Sequence, residues 1–373
     1  MYLMHGDRKA AIVNSERQIV KIINPKEMPV GTLSNNQMVQ ARLFLSWLYS
    51  RVIPNDRQNK LQIEKILHTT VNDAYLRSLG VSLTDCYWFK DDDCGLKWKD
   101  VNFHDNGFSK DYAESILTGI SHDNVSFDIP DITTDGALKK VWLNVNGEAT
   151  LVKCGDIGEK TNGKHLLSAN EIIASEIANI IGLNHVQYYP VNINNEVLCA
   201  CPCYINTPDC DAITMLQFVH QDFSYNKAGI SKLYKEINAL DNYYKMLFFD
   251  AFIGNFDRHE KNITFRKDIN TGNVSLLPVF DSGSSLGYYC GEILKPLSLT
   301  QKEQLEYSCK KNKKIYKNID IDIIKNSIKT NYELFAINEE LYNTAIQIIE
   351  RSYKICRNIY KQYSIKKEED FCL

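Results

Sequence analysis

The sequence predicts an α+β fold in two lobes, a strand-rich half followed by a helix-rich half, with an additional α/β region at the N-terminus. Three observations carry this. From Leu138, LKKVWLNVNGEATLVKCG alternates apolar and polar residues on both sides of Asn146 and Gly147, and an Asn-Gly between two alternating runs is the strongest short-range hairpin signal. INALDNYYKMLFFDAFIG and the stretch from Gln301 to Ile365 carry apolar residues at helical spacing. Between them, NITFRKD and SLLPVFD read as two short strands joined through Asn270 and Gly272.

Taken in order, residues 1–120 form a mixed α/β region with its own aromatics, among them Trp47, Tyr87, Trp88 and Trp98. A hydrophilic stretch, GFSKDYAESILTGISHDNVSFDIPDITTDG, follows and puts the boundary between residues 115 and 130. Residues 121–220 make the strand-rich lobe. Its hairpin ends near Lys153, and its helix runs from a Ser168-x-x-Glu171 capping box to a closing Gly182. VQYYPVNI and EVLCACPCYI are further strands, and ITMLQFVH is an apolar connection. Residues 221–373 make the helical lobe, which opens near Ile230 and whose main helix stops at Gly254; KKEEDFCL is a frayed tail. A ligand is expected in the cleft between two such lobes.

Composition narrows the function classes. A chain of 373 residues is too long for one compact core, and 44% hydrophobic with 24% charged residues is a soluble, globular balance. The net charge of -3 gives no overall reason to expect nucleic acid or an anionic membrane as the main ligand. MYLMHGDRKAAIV turns polar at once, which predicts no signal peptide, and no apolar run reaches bilayer-spanning length. Eleven cysteines without C-x2-C pairs predict reduced thiols and a cytoplasmic location. Cys199, Cys201 and Cys203 share one strand face; a structural zinc needs four ligands, so they are expected to be small buried core residues. The basic run from Lys310 to Lys314 is expected to be a solvated helix face.

Two motifs are decoys. Gly158 to His165 nearly spells the G-x-x-x-x-G-K-[ST] phosphate loop, but His165 stands where a hydroxyl must reach magnesium, so a surface loop is expected. His259-Glu260 begins an H-E-x-x-H zinc motif, and residue 263 is Ile.

FIGNFDRHEKNITF, residues 252–265, fits phosphoryl transfer better. There an Asp accepts the proton of the attacking hydroxyl, and an Asn five residues later on the same loop holds Mg2+. Asp257 and Asn262 have that spacing; taken alone, both residue types are common in turns. Asp281, at the end of the next strand in FDSG, is placed to share the metal, the alternative being a turn that serves backbone geometry. Lys153 ends an alternating strand, where it can bind ATP phosphates and pair with a helix glutamate, Glu171 first and Glu176 second, or else reach solvent. Backbone amides near Gly136 offer a weaker phosphate contact. Arg258 and His259 are assigned to holding the loop in shape. Five groups in this order on the expected element types are harder to obtain by coincidence than any one of them.

Through IGNFDRHEKN and LLPVFDSGSSL, and more softly through LVKCG and NEIIASEIANIIGL, the sequence resembles the HipA-type serine/threonine kinases over roughly residues 130–350. The resemblance implies a bilobal protein-kinase-like fold with ATP and Mg2+ as cofactors. It makes Asp257 the catalytic base, places Asn262 and Asp281 on Mg2+ and Lys153 on the phosphates, and lays the adenine against Gln217, Phe218 and His220. Thr133 and Thr134 become candidate autoinhibitory phosphorylation sites, although TTDGALKK departs from the family's Gly-Ala/Val-Gln-x-Lys loop. The implied partners are a protein substrate and an antitoxin or regulator. Two other readings stand beside this one, a nucleotide-binding regulatory module acting through protein or DNA partners and a kinase of a non-protein acceptor.

Overall fold

A computed structural model describes residues 1–120, 129–154, 165–205, 207–222, 227–288, 299–312 and 315–369. Chain order opens with β1 (Tyr2–His5), β2 (Arg8–Val13), β3 (Ile19–Ile22), α1 (Ala41–Tyr49), α2 (Lys60–Leu67) and α3 (Val71–Arg77). β4 (Tyr87–Lys90), α4 (Trp98–Val101), α5 (Phe103–Asn106) and α6 (Lys110–Thr118) follow. Next come β5 (Lys140–Val145), β6 (Glu148–Lys153), α7 (Leu166–Ile181), β7 (Tyr189–Ile193), β8 (Glu196–Pro202) and β9 (Cys210–Thr214). The remainder is α8 (Met215–Asp222), α9 (Lys227–Glu236), α10 (Leu240–Ile253), β10 (Thr264–Asp268), β11 (Val274–Leu276), α11 (Leu299–Lys311), α12 (Ile321–Leu334) and α13 (Glu339–Glu369). The expected alternation of a strand-rich and a helix-rich half is present. The Gly158 to Lys164 decoy falls outside the described residues, as does part of the Lys310 to Lys314 run.

Contacts group the chain into two compact units. One comprises Met1–Lys153, Ala200–Ile230 and Thr264–Leu277, the other Cys154–Cys199, Ser231–Ile263 and Pro278–Leu373. These are groupings by packing, whereas the divisions near 120 and 220 follow chain order.

In the first unit β3, β2, β1 and β4 form an antiparallel sheet, and β11, β10 and β9 form a second. The expected hairpin is β5–β6. Val145 pairs with Glu148, and Asn146 and Gly147 take φ of 54° and 89°, the left-handed pair that a two-residue turn of this hand requires. Its Trp142 packs into one cluster with Met4, Val81, Leu83, Cys86, Trp88, Trp98 and Phe103, so the N-terminal region and the hairpin share an interior. His5 reinforces the same interior. Its ring nitrogens meet Glu27 Oε2 at 2.6 Å and Asp211 Oδ2 at 2.9 Å, while its face stacks on Tyr87. Cys199 and Cys201 are buried, as expected of small core residues, whereas Cys203 is half-buried.

ITMLQFVH is not a plain connection. Ile213 and Thr214 end β9, and the chain turns into α8 at Met215. Gln217 drives the change: its Oε1 accepts from Thr214 N (2.7 Å) and Thr214 Oγ1 (2.9 Å), closing the first turn of the helix.

In the second unit α7 packs on α10 and α12, and α10 on α11 and α13. Burial of Ile172, Ile173 and Ile177 on α7, Phe248, Phe249 and Phe252 on α10, and Ile324 and Ile328 on α12 supplies the apolar faces. α7 ends as expected at Gly182 (φ 65°) but starts earlier than the capping box implies. Leu166 and Leu167 are already buried helical residues, His165 Nδ1 meets Cys154 O at 2.5 Å, and Ser168 lies inside the helix. Extending the apolar face by a turn outweighs the cap. Among the described residues no helix is long and apolar enough to cross a membrane.

One buried acid predicts a pH dependence. Burial pushes the Asp131 carboxyl up to about 6, opposed by Arg57, Lys140 and Tyr112. A carboxyl raised in the folded state binds its proton there more tightly than in the unfolded chain. Its contribution is therefore full below the ordinary aspartate range and lost as pH rises through about 6. Between pH 4 and 7 the wild type should lose up to about 3 kcal/mol relative to Asp131→Asn. Urea unfolding of the two proteins across that range measures the difference, and parallel pH curves would refute it.

Candidate active site

α10 stops at Gly254, whose φ of 68° is the left-handed cap backbone. Leaving the helix, Asn255 Nδ2 donates to Asp250 Oδ1 at 2.8 Å and Asn255 Oδ1 accepts from Asp257 N at 3.1 Å. This side-chain turn carries the chain back over the helix end and sets Asp257 half-buried at the start of the loop. The Asp257 Oδ2 accepts from Ser284 Oγ at 3.4 Å.

Arg258 organises everything around it. Its guanidinium forks onto Asp250, with Nε 3.1 Å from Oδ2 and Nη2 3.1 Å from Oδ1, and the two side chains are only 7% and 3% exposed. Nη1 donates to the carbonyls of Asn262 (3.2 Å) and Phe280 (2.5 Å), and Nη2 to Ser282 Oγ (2.9 Å). One buried side chain thus ties the Asp257–Asn262 loop to α10 behind it and to the Phe280–Ser282 segment beside it; the strand expected to run to Asp281 stops at Leu276, with one further bridge at Val279. Burial would lower the guanidinium's proton affinity, but Asp250 first, then Asp281 and Glu171, raise it beyond the ordinary arginine value. The expected shape-holding role of Arg258 is met in full. His259 has a smaller one, its Nδ1 accepting from Lys261 N at 3.3 Å at the head of the single turn Glu260–Asn262.

Asn262 is buried, and its Nδ2 donates to Asp257 O at 3.4 Å. That orientation leaves Oδ1 without a hydrogen bond among the described residues, which suits a hard cation. Asp281 follows a parallel bridge between Val279 and His185 and takes φ of 59°, a left-handed backbone uncommon outside glycine. Its N–H points to Tyr188 Oη at 3.4 Å. The turn-only alternative for Asp281 explains this backbone equally well; Arg258, bonded to the Asn262 and Phe280 carbonyls and to Ser282 Oγ, and Ser284 Oγ on Asp257 join its segment to the loop. Among the described residues no three His, Cys, Asp or Glu side chains cluster as a metal cage. An amide oxygen and a carboxylate instead match Mg2+, which keeps waters and phosphate oxygens as its other ligands.

Glu171 lies in the second turn of α7, 3% exposed, where its Oε2 accepts from Ser282 N at 2.9 Å. Gly283 comes so close to α7 that a Cβ there would stand 2.9 Å from Leu167 O. Lys153 is the last residue of β6, 6% exposed, paired across the hairpin with Lys140. Burial removes the alternative that it simply reaches solvent. Gly136, at φ 100°, donates its N–H to Asp135 Oδ1 at 2.8 Å, so in this conformation the amide is taken up locally. Thr133 and Thr134 both donate their hydroxyls to Pro130 O, at 2.9 and 2.8 Å. Phe218 sits edge-on against Phe265, with ring centroids 5.1 Å apart, and His220 lies on α8.

Two supports escaped the sequence reading. Asp250 interrupts the apolar run LFFDAFIG, and a charged residue in a buried helix face was a visible signal. Asn170 gave none. It is fully buried, donates to Gly283 O (3.1 Å) and Ser285 O (2.8 Å), and accepts from Tyr332 Oη (2.8 Å). Asn170→Ala takes the partner from the Gly283 carbonyl and the Tyr332 hydroxyl and leaves Ser285 O with the Tyr288 amide, so a loss of about 2–4 kcal/mol is expected in denaturant unfolding. A loss under 1 kcal/mol would show the 283–285 segment to be held by other contacts.

A loop leaving a helix end and bearing Asp and Asn five residues apart, clamped by a buried arginine to the two residues that flank a following aspartate, is the arrangement of a chain of kinase-like fold. It belongs to the family of HipA-like C-terminal domains, whose model matches residues 132–352. The serine/threonine-protein kinase CtkA of Helicobacter pylori strain J99 is 26% identical over 212 residues, 52% of this chain and 62% of that relative. The match therefore spans less than two thirds of the relative's length. Among solved structures, a chain from the complex of Shewanella oneidensis MR-1 HipA, HipB and operator DNA superposes with a TM-score of 0.52 at 11% identity, covering 96% of both chains. The crystal structure of the Helicobacter pylori proinflammatory kinase CtkA gives a TM-score of 0.46 at 17% identity, over 61% of this chain and 95% of that one. The Shewanella likeness shows a shared fold.

Proposed function

We propose that this chain is an ATP- and Mg2+-dependent serine/threonine protein kinase. The observation that carries the reading is the Arg258 clamp, because it holds a loop with a half-buried acid at one end and an amide oxygen at the other against the Asp281 segment. The Asp257 carboxylate takes the proton of the acceptor hydroxyl as it attacks. Asn262 and Asp281 hold Mg2+, which when bound offsets the charge of the transferring phosphate. Lys153 binds the phosphates, Gly136 covers them, and Gln217, Phe218 and His220 border the adenine. Glu171 acts through its grip on the Ser282 amide, in addition to any pairing with Lys153. An antitoxin-type regulator is the partner class that the HipA–HipB complex suggests, in a cytoplasmic setting.

The test is incubation with labelled ATP and Mg2+ in a host lysate, wild type beside Asp281→Ala. Wild type should label protein on serine or threonine and the variant should not. Phosphopeptide mapping of the wild type then reports whether Thr133 or Thr134 takes label. A wild type that binds Mg-ATP and labels neither itself nor any other protein would remove the protein-kinase reading.

A further inference from the structure

The family match begins at residue 132, and nothing so far gives the preceding N-terminal region a part in the chemistry. The structure puts four residues against one loop, two of them from that region. The Pro130–Ala137 stretch, which holds Gly136, is gripped from the N-terminal region by Arg57 Nη2, which donates to Thr134 O, and by Gln58 N, which donates to Ala137 O at 2.9 Å. From the hairpin, Trp142 Nε1 donates to Thr134 Oγ1 at 3.0 Å and Lys140 Nζ to Asp135 O at 2.5 Å.

Behind these contacts lies a buried charge cluster. Arg57 and Tyr112 are each 3% exposed and Asp131 1%, and both Arg57 and Tyr112 face the Asp131 carboxyl. Tyr112 leans on the Asp131 carboxyl without a well-formed hydrogen bond, and Arg57 Nε and Nη1 are buried with no hydrogen-bond partner among the described residues. Polar groups buried with so few partners are destabilising. An apolar filling would hold α2 and α6 together more stably, so packing alone does not account for the cluster. Its location does: Arg57 reaches the loop from the α2 side, Tyr112 from α6, and Asp131 lies at the root of the loop itself.

We propose that Arg57, backed by Asp131 and Tyr112, is a positioning residue through which the N-terminal region fixes the Thr133–Gly136 loop for contact with the phosphates of bound nucleotide. This rests on the kinase reading for its ligand, but not for the anchoring itself. Arg57 touches no reacting atom. It acts on the loop, so its removal should be felt at the phosphate end of the nucleotide and not at the base.

Two measurements on the full chain test this, using Arg57→Ala with Asp131→Asn as the milder variant should the first fold poorly. In hydrogen exchange, loss of this charge-assisted bond should speed the amides of residues 133–137 by roughly tenfold or more, with the helices of the second unit unchanged. In binding, the affinity for Mg-ATP should fall by roughly tenfold while that for adenosine stays within about twofold. A general loss of structure would weaken both ligands alike, so the ratio separates positioning from folding. Unchanged exchange in the loop, or equal losses for ATP and adenosine, overturns the proposal. If wild type binds no ATP, the kinase reading fails, and exchange in the loop still decides whether Arg57 anchors it.

Discussion

Asp257→Asn is expected to cut phosphoryl transfer by about 10²–10⁴-fold, the range by which a positioned general base accelerates such a step. The same variant should unfold within about 0.5 kcal/mol of wild type, as substitutions away from buried networks do. Both expectations come from the site. The carboxylate is half-buried, and its one side-chain contact among the described hydrogen bonds is the long one from Ser284 Oγ at 3.4 Å. Asparagine preserves shape and the backbone turn to Asn255 Oδ1 at 3.1 Å, removing only the ability to take a proton. Initial rates with labelled ATP, set beside urea unfolding of the same samples, measure the two quantities. Retention of more than a tenth of the wild-type rate would mean that Asp257 is not the base.

Arg258→Ala should behave in the opposite way and lose the fold along with the activity. Removing one member of a buried ion pair leaves the other charged without a partner, which typically destabilises by about 3–5 kcal/mol. Here Asp250, 3% exposed, would be stranded. The carbonyls of Asn262 and Phe280 would lose their shared donor as well. Arg258→Lys keeps the charge but not the planar fork, so it should recover part of the stability and less of the rate. Equilibrium unfolding gives the first effect and labelled-ATP turnover the second. A loss below 1 kcal/mol for the alanine variant would show that the loop is shaped by its turns alone.

The pair of predictions also separates two kinds of residue that stand next to each other in the chain. Asp257 is where chemistry is expected, and its environment is open enough to let an acceptor reach it. Arg258 is enclosed, and its bonds to the Asp250 carboxylate, the Asn262 and Phe280 carbonyls and the Ser282 hydroxyl are those of a structural hub. Adjacent residues in one short motif can thus carry function by different routes, one through a proton and one through geometry.

Much of this was written in local sequence. Asn146 and Gly147 determine the hairpin because few residues accept φ of 54° and 89° in succession. Gly182 and Gly254 determine two helix ends for the same steric reason. The D-x-x-x-x-N spacing and the following FDSG pick out two segments that the structure brings onto one arginine, although the strand expected to end at FDSG stops at Leu276. What local sequence could not supply is which distant groups meet. Ser168 and Glu171 look like a capping box, yet α7 begins at Leu166 because burying one more apolar turn outweighs a cap. Glu171 is thereby released to hold Ser282, and Asn170 beside it to hold Gly283 and Ser285. Gln217 starts a helix within an apolar run because its side chain can close the first turn on Thr214. The sequence by itself determined the hairpin, the main helices and their glycine ends, and singled out Asp257, Asn262 and Asp281 as candidates. Tertiary structure decided how they are held, because the grip of Asp250 on Arg258, of Asn170 on the 283–285 segment and of Arg57 on Thr134 joins residues 8, 113 and 77 positions apart.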